Sequence, residues 1–157
     1  MTIRKAELGD YDGICQLIRA ADDLHAEILP GFFRKARQGN SRTRDEVRRI
    51  LESPTETILV REEGGVIAGL VHVQIYDTPP VAVMVAKRRA HIDLLVVAEA
   101  ARRRGLGRTL LDGARAWARG MGAEELLLTV WAGNDLAQRF YEKQGFRRIN
   151  TVLGQPL

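Results

Sequence analysis

The chain has 157 residues, 45% of them hydrophobic and 28% charged, and its formal net charge is +4 at pH 7. This length fits one domain, 1–157, and excludes two domains of ordinary size, while the short apolar runs exclude a membrane-spanning helix and predict no membrane partner. The first residues lack the apolar stretch of a secretory signal and Cys15 is the one cysteine, so we expect a cytoplasmic protein in a reducing compartment.

The N-terminal third predicts one strand and two helices. Residues 2–8 read as a short strand, and apolar residues at helical spacing then predict a helix over about 10–24. A proline and a glycine interrupt residues 25–33, where we expect an irregular segment. The motif Thr43-x-x-Glu46 has the spacing of a capping box, which predicts the start of a second helix.

The middle of the chain predicts a hairpin followed by another strand. Residues 57–61 and 66–76 are rich in strand-forming side chains, and Gly64-Gly65 between them permits the positive φ of a tight turn. Two adjacent prolines in residues 77–89 predict a loop. The run 92–97 is the strongest strand signal of the chain.

The C-terminal third alternates helix and strand. Residues 105–121 have an apolar helical face, 125–131 form a near-continuous apolar run, and Asn134 can cap a helix that ends at Gly145. Residues 146–153 predict one or two final strands. The order is therefore β-α-α-β-β-β-α-β-α-β, an α/β class with a mixed (α+β) sheet flanked by helices.

The junction between strand 92–97 and the following helix carries the chemistry. Arg102-Arg103-Arg104-Gly105-Leu106-Gly107 joins them, and glycines there let backbone N–H groups approach a ligand closely. A helix start also presents unpaired donors and a favourable dipole, and guanidinium groups match phosphate oxygens. The segment predicts an anion site, in agreement with the pI of about 9.6.

Three other kinds of glycine-containing segment can be compared with this junction. A glycine-containing turn with solvated arginines would have a similar sequence. A Rossmann dinucleotide site fits worse, because Leu110 occupies the position of its third glycine, and a P-loop lacks its Gly-Lys-Ser/Thr.

Two motifs in the correct order resemble the GNAT family of N-acetyltransferases. Arg102-x-x-Gly105-x-Gly107 is similar to the Arg/Gln-x-x-Gly-x-Gly/Ala signature of the family. The later segment from Trp131 to Phe146 resembles its second hallmark, with Asn134, Ala137, Phe140 and Tyr141 at the expected spacing. The resemblance implies a GNAT-type fold and an acyltransferase that uses acetyl-coenzyme A.

The resemblance also implies where the cofactor lies. Backbone groups of Leu95 and Val97 would pair with the pantetheine arm, where two strands of the family's sheet diverge. Asn134 would bond the same arm, although a helix cap accounts for this residue equally well. The pyrophosphate would be held by a continuous run, chiefly through its amides: Arg102, Arg103, Arg104, Gly105, Leu106, Gly107, Arg108 and Thr109.

Amine acylation needs a base for an ammonium ion, a donor to the developing oxyanion and an acid for the departing thiolate. The family often places a tyrosine at the position of Tyr141, which we predict as the acid, although its ring could simply pack beside Phe140. Direct attack needs no covalent intermediate, so Cys15 is not expected to act as a nucleophile.

His91 is the leading prediction for the base, because the family often places a base near this strand position. Two-residue alternation puts His91, Asp93, Leu95 and Val97 on one strand face. A purely structural role for His91 is the alternative. His72 on the preceding strand, a carboxylate and a relay through water remain open as bases.

The acceptor amine is expected to be a small molecule or a peptide, and nucleic acid is not expected because no aromatic-basic platform is present. In the family, the end of the first helix and the following segment border the acceptor. The residues there are His25, Glu27, Phe32 and Phe33. A catalytically silent sensor or scaffold that binds acyl-coenzyme A is the runner-up, no metal site is predicted, and a homodimer stays open.

Overall fold

The computed structural model describes residues 2–36, 39–79 and 81–157, so that Pro80 of the predicted loop lies outside the described residues. Five strands form one sheet: β1 Arg4–Lys5, β2 Glu56–Glu63, β3 Val66–Asp77, β4 Arg88–Val97 and β5 Glu125–Leu128. Four α-helices lie within the described part: α1 Tyr11–Ile28, α2 Arg44–Glu52, α3 Leu106–Gly120 and α4 Asp135–Lys143.

The sheet is mixed, as predicted. Its order is β1-β2-β3-β4-β5, and every neighbouring pair is antiparallel except β4 and β5, which are parallel. The parallel pair follows from the crossover through α3, because parallel neighbours need a long connection. The predicted fold class is confirmed.

Helices cover both faces of the sheet and form two cores. On one face, α3 buries Leu110, Leu111 and Ala114 against Val71, Val73 and Ile92. On the other, α1 and α2 bury side chains against β2, β3 and the end of β4; this second core includes Ile14, Leu17, Val47, Ile58, Val60, Leu70 and Val96. The site described below therefore lies on a sheet that is held rigid from both sides.

Local signals of the sequence set several element boundaries. Gly64 and Gly65 adopt φ of 61° and 81°, which join β2 to β3 by the predicted tight turn. The capping box is formed, since Glu46 N–H donates to Thr43 Oγ1 at 3.2 Å and Thr43 N–H donates to Glu46 Oε2 at 2.6 Å.

Two predicted boundaries are wrong at the N-terminal end. The first strand is confined to Arg4–Lys5, and α1 continues past residue 24 to Ile28. The helix persists because a proline restricts the residue before it and not the preceding turn. Leu29 precedes Pro30 and leaves the helical region with φ of −131° and ψ of 67°.

The predicted final strand at 146–153 is not formed, and β5 ends at Leu128. A strand is stable where a neighbour supplies ladder bonds and one face is covered, but residues 146–153 pair with no strand among the described residues, and 147–153 are exposed. Ile149, Val152 and Leu153 are exposed instead. No helix among the described residues has the length and apolar character to cross a bilayer.

Candidate active site

β4 extends beyond the end of β5 and leaves half of one edge open. The parallel ladder runs only from Arg89–Glu125 to Ile92–Leu128, whereas β4 continues to Val97. Residues 94–97 keep their ladder to β3, but the stretch from Asp93 to Val97 has no strand on the other side within the described residues. An extended ligand could add to this edge through backbone hydrogen bonds, as predicted for Leu95 and Val97.

The turn that follows β4 presents backbone amides at the start of α3. Arg103 and Gly105 both have left-handed backbones, with φ of 60° and 80°. The amides of Leu106, Gly107 and Arg108 donate to no acceptor in the described part of the chain. Left-handed residues beside a helix start form a concave set of donors that suits an anion.

The arginine side chains of this turn have different surroundings. Arg102 Nε donates to the carbonyl of Val97 at 3.2 Å, and Arg104 pairs with Glu63 of the β2–β3 hairpin at 3.0 Å. Arg103 is exposed, and Arg108 is exposed with only a distant pair, 3.9 Å, to Asp112. Arg103 and Arg108 are therefore the side chains best able to reach a bound anion.

Leu106 and Thr109 have fewer groups that are free to contact an anion. The side chain of Leu106 is buried in the core, which leaves only its amide for a ligand. Both the amide and the hydroxyl of Thr109 donate to the carbonyl of Gly105, at 3.1 and 3.2 Å. A phosphate oxygen accepts and does not donate, so Thr109 can contact an anion only if its hydroxyl group turns away from the carbonyl of Gly105.

Gly107 brings α4 close to this turn. A Cβ at Gly107 would lie 3.4 Å from Phe140 of α4 and 3.9 Å from Leu95 of β4. The side chain of Asn134 caps α4 by accepting from Ala137 N–H at 3.2 Å, so its alternative role as a helix cap is confirmed, and its amide group keeps free donors. The second sequence motif therefore packs directly against the first.

Tyr141 is half-buried on α4, one residue after Phe140. Its ring packs edge-on against Phe140 and Phe146, with centroids 5.0 and 5.5 Å apart. Burial raises the pKa of Tyr141 to about 12, because the phenolate would lose its hydration. The phenol is consequently neutral at physiological pH and keeps a proton that it can donate. The acid role stays a prediction.

His91 belongs to a cluster of polar side chains on the face of the sheet that carries α1 and α2. Its Nδ1 lies 2.7 Å from Asp93 Oδ1, and Gln74 Nε2 donates to both carboxylate oxygens of Asp93, at 2.9 and 2.8 Å. A carboxylate only accepts hydrogen bonds, so the proton of the neutral imidazole lies on Nδ1. Nε2 of His91 then keeps its lone pair.

His72 lies in the same cluster but is more enclosed. Its Nε2 is 3.2 Å from Glu56 Oε2, and its Nδ1 is 3.6 Å from Asp93 Oδ2. Glu56 also accepts from Arg49 at 2.9 Å. Both ring nitrogens of His72 thus face carboxylates, whereas only one nitrogen of His91 does. This difference favours His91 over His72 as the base.

His91, Asp93, Leu95 and Val97 were predicted to share one face of β4. This prediction is wrong, because the strand contains a bulge. Val73 pairs with Ile92 but His72 pairs with Leu94, so Asp93 is an extra residue in the ladder. The bulge reverses the alternation. Leu95 and Val97 pack toward the α3 core, whereas His91 is on the opposite face.

We expect Asp93→Asn to destabilise the protein in a pH-dependent manner. Burial would raise the pKa of Asp93, but hydrogen bonds from His91 and Gln74 outweigh it and hold that pKa below its usual range. A depressed carboxyl pKa adds stability that is present at neutral pH and lost as the pH falls through the folded-state value. Losing one charged acceptor costs about 2 kcal/mol, or about 4–8 °C in Tm.

The measurement is Tm against pH for both proteins. The difference should be largest near neutral pH and should shrink as the solution is made acidic. A constant difference across the range would contradict the ionised, hydrogen-bonded Asp93.

Aromatic rings from two loops meet beside the end of α1. Phe33 contacts His25 and Trp131, with centroids 5.4 and 4.9 Å apart, and Phe32 lies 5.5 Å from Trp131. Three of the four predicted acceptor residues are therefore together. Glu27 lies apart from them, because it is exposed and pairs with Lys35 at 2.7 Å.

Three residues of these clusters were not predicted as site residues from the sequence. Glu56 meets His72, and Gln74 meets Asp93, only through the register of β2, β3 and β4. Trp131 was part of the recognised motif, and an aromatic residue at the end of an apolar strand run was the available signal for it.

Comparison with known proteins identifies the family. The profile of the acetyltransferase (GNAT) family matches residues 21–146, most of the chain. The chain belongs to the GNAT acetyltransferase family. The predicted membership of the GNAT family is thus confirmed.

One curated relative and several solved structures are similar to this GNAT protein. Mycothiol acetyltransferase of Propionibacterium freudenreichii subsp. shermanii is 26% identical over 136 residues, which cover 85% of this chain and 42% of that relative, so the chain spans less than half of its length. A tetramutant of the BH1408 protein of Bacillus halodurans has a TM-score of 0.93 at 23% identity, with 100% of both chains covered.

Aminoglycoside acetyltransferases share the fold at lower identity. The aminoglycoside N-acetyltransferase AAC(6')-Iy, solved with CoA, has a TM-score of 0.74 at 15% identity and covers 99% of this chain and 98% of its own. The enzyme AAC(6')-IG of Acinetobacter haemolyticus gives the same TM-score and identity, with 100% and 98% covered.

Proposed function

We propose that this chain transfers the acetyl group of acetyl-coenzyme A to a primary amine by direct attack in a ternary complex. One observation carries the proposal. The open edge of β4, from Asp93 to Val97, ends beside the amide-presenting turn Arg103–Arg108. An extended arm with a diphosphate at one end fits such an edge followed by such a turn.

The chain's own groups fit this ligand. Backbone groups of Leu95 and Val97 would hold the arm, and the amides of Leu106, Gly107 and Arg108 would hold the diphosphate. Arg103 and Arg108 would add charge from exposed positions. When bound, acetyl-coenzyme A supplies an acyl group activated as a thioester.

His91 would take the proton from the incoming ammonium group. The Nδ1–H bond to Asp93 fixes the ring and leaves Nε2 as the basic atom. Gln74 in turn fixes Asp93, so that the base is held by two strands of the sheet. A rigid base lowers the entropic cost of reaching the reactive geometry.

Tyr141 would donate a proton to the departing thiolate. Its pKa of about 12 keeps the phenol protonated, and burial strengthens the interaction with a developing negative charge. A backbone amide near Val97 would serve as the oxyanion donor. No residue of the chain needs to form a covalent bond to the acyl group.

The acceptor would lie between the polar cluster and the aromatic residues His25, Phe32, Phe33 and Trp131. Carboxylates of the cluster attract a cationic amine, and the rings offer an apolar flank. Relatives include acetyltransferases named for aminoglycosides and for mycothiol, which supports a small-molecule acceptor.

The proposal is tested by thermal stability with ligands. Acetyl-coenzyme A at about 100 times its Kd stabilises a protein by about 2.7 kcal/mol, so Tm should rise by about 5–11 °C. NAD and ATP should give no comparable rise. The absence of a shift with saturating acetyl-coenzyme A would contradict the assigned site.

The substitution Gly105→Ala tests whether acetyl-coenzyme A binds at the turn before α3. The left-handed backbone costs a residue with a Cβ about 1–2 kcal/mol, so the turn should relax and the Kd should rise about tenfold. Gly64→Ala is the matched control, because Gly64 is also left-handed and open but lies in the β2–β3 turn. It should lower Tm similarly without changing the Kd.

A further inference from the structure

The three consecutive arginines before α3 are fixed in different ways. Arg102 Nε donates to the carbonyl of Val97 at 3.2 Å, which ties the start of the turn to the end of β4. Arg104 Nη1 donates to Glu63 Oε2 at 3.0 Å, across 41 positions of the chain. Arg103 lies between these two contacts and its side chain is exposed. The turn is thus attached to the body of the protein on both sides of Arg103.

The backbone of Arg103 is strained. Its φ of 60° is left-handed, and no other non-glycine residue that the structure describes has such a backbone. A Cβ makes this conformation unfavourable, so it persists only where the surrounding contacts enforce it. The conformation of the turn therefore needs a restraint from outside the turn.

Glu63 has the position that such a restraint requires. It is the last residue of β2 and lies opposite Val66 in the β2–β3 ladder, so the sheet fixes its backbone independently of the two-glycine turn that follows. Its side chain is only 21% exposed, and Arg61 Nη2 lies 3.4 Å from its Oε1. Arg104 thus pairs with a carboxylate that two other contacts already hold in place.

We propose that Glu63 is a positioning residue for the cofactor. Through Arg104 it holds the left-handed turn before α3, which directs the free amides at the start of that helix toward a diphosphate. A turn that is held before the ligand arrives binds more tightly, because less ordering is needed on binding. This inference rests on the proposed function, since it assigns a further residue to the same acetyl-coenzyme A site.

The negative charge of Glu63 permits an opposite role with an opposite result. A carboxylate beside a diphosphate site would weaken binding by repulsion, or by keeping Arg104 away from the ligand. Two guanidinium groups, those of Arg61 and Arg104, already offset this one carboxylate. The restraint on the turn is therefore the larger effect, and the sign of the change in affinity decides between the two roles.

The affinity for acetyl-coenzyme A tests this sign. Glu63→Ala should raise the Kd about tenfold, because the turn then relaxes as expected for Gly105→Ala. At saturating acetyl-coenzyme A the kcat should stay within about twofold, so that the change appears in KM. An unchanged or lower Kd would overturn the proposal. Glu63→Gln keeps the size of the side chain and replaces Glu63→Ala if that variant does not fold.

Glu62→Ala is the matched control. It removes the same charge from the neighbouring position, but Glu62 pairs with Arg4 at 3.1 Å and not with the turn. This variant should leave the Kd unchanged. An equal rise in both variants would show a general effect of the hairpin's charge, and the specific role of Glu63 would be wrong.

A double-mutant cycle shows whether Glu63 acts through Arg104. Arg104→Ala and the double variant should each raise the Kd by the same factor as Glu63→Ala, because each change breaks the same pair. Effects that multiply in the double variant would mean that Arg104 binds the diphosphate itself, and the positioning role would be wrong.

Arg103→Gly isolates the conformational reason. A glycine adopts a φ of 60° without strain, so in this background Glu63→Ala should raise the Kd less than about twofold. A rise that persists at about tenfold in this background would contradict the restraint on the turn.

The ligand-free protein separates this proposal from the proposed function. The Cα and Cβ chemical shifts of Arg103 report its φ, and they should change in Glu63→Ala but not in Glu62→Ala. If acetyl-coenzyme A fails to raise the Tm of the unchanged chain, the proposed function is wrong, and the role of Glu63 toward the cofactor is wrong with it. A rise in that Tm together with unchanged shifts of Arg103 in Glu63→Ala would overturn the role of Glu63 alone.

Discussion

Tyr141→Phe is expected to lower kcat by about 10²-fold or more while the Kd for acetyl-coenzyme A stays within about twofold. The substitution removes only the hydroxyl group, and the ring contacts with Phe140 and Phe146 are retained. A phenol with a pKa of about 12 is protonated throughout the working range, so the loss of its hydroxyl group removes a donor and changes no charge.

Release of free thiol measures kcat in this experiment, and ligand-dependent Tm measures affinity. Tyr11→Phe is the matched control, because the Tyr11 hydroxyl donates to the carbonyl of Arg42 at 2.8 Å, away from the proposed site. It should leave kcat unchanged. Unchanged turnover in Tyr141→Phe would reduce Tyr141 to a packing residue.

The same assays separate an enzyme from a silent binding protein. Suppose that acetyl-coenzyme A raises the Tm of the unchanged chain, but that no amine of a broad library makes this chain release free thiol from acetyl-coenzyme A. The sensor or scaffold alternative is then correct. Turnover with any amine decides for the transferase.

His91→Ala is expected to lower kcat by about 10²-fold and to remove the acidic limb of the rate–pH profile. A general base acts only in its unprotonated form, so a reaction that requires one slows in acid. The variant has no such group at that position, so its residual rate should lose this dependence. The measurement is kcat/KM against pH at a fixed amine.

His72→Ala is the comparison that makes this test specific. His72 lies between Glu56 and Asp93, so its loss should change Tm more than the shape of the profile. If His72→Ala removes the acidic limb and His91→Ala does not, the roles of the two histidines are exchanged. Identical profiles for all three proteins would eliminate both as the base.

The sequence predicted the elements whose determinants are local. The capping box at Thr43, the glycine pair at the β2–β3 turn and the glycine-bearing start of α3 each act through neighbouring backbone, and each formed as predicted. The order of elements and the fold class followed from hydrophobic periodicity. The same locality accounts for the turn that presents free amides at the start of α3, which one continuous segment builds.

The polar cluster could not be predicted, because it depends on register between strands. Glu56, Gln74 and His91 lie side by side only through the pairing of β2, β3 and β4. The bulge at Asp93 reverses the alternation of β4, and no residue type marks it in the sequence. The sequence alone therefore placed Leu95 and Val97 on the wrong face.

Local residue patterns by themselves determined the family, the fold class and the turn that presents free amides at the start of α3, since those depend on turn chemistry and period. Only the tertiary structure decided which histidine keeps a free nitrogen, which arginines stay available and whether the tail forms a strand. Those outcomes depend on contacts between distant segments, such as Asp93 with Gln74 and Arg104 with Glu63. A residue's neighbours along the chain do not specify its neighbours across the sheet.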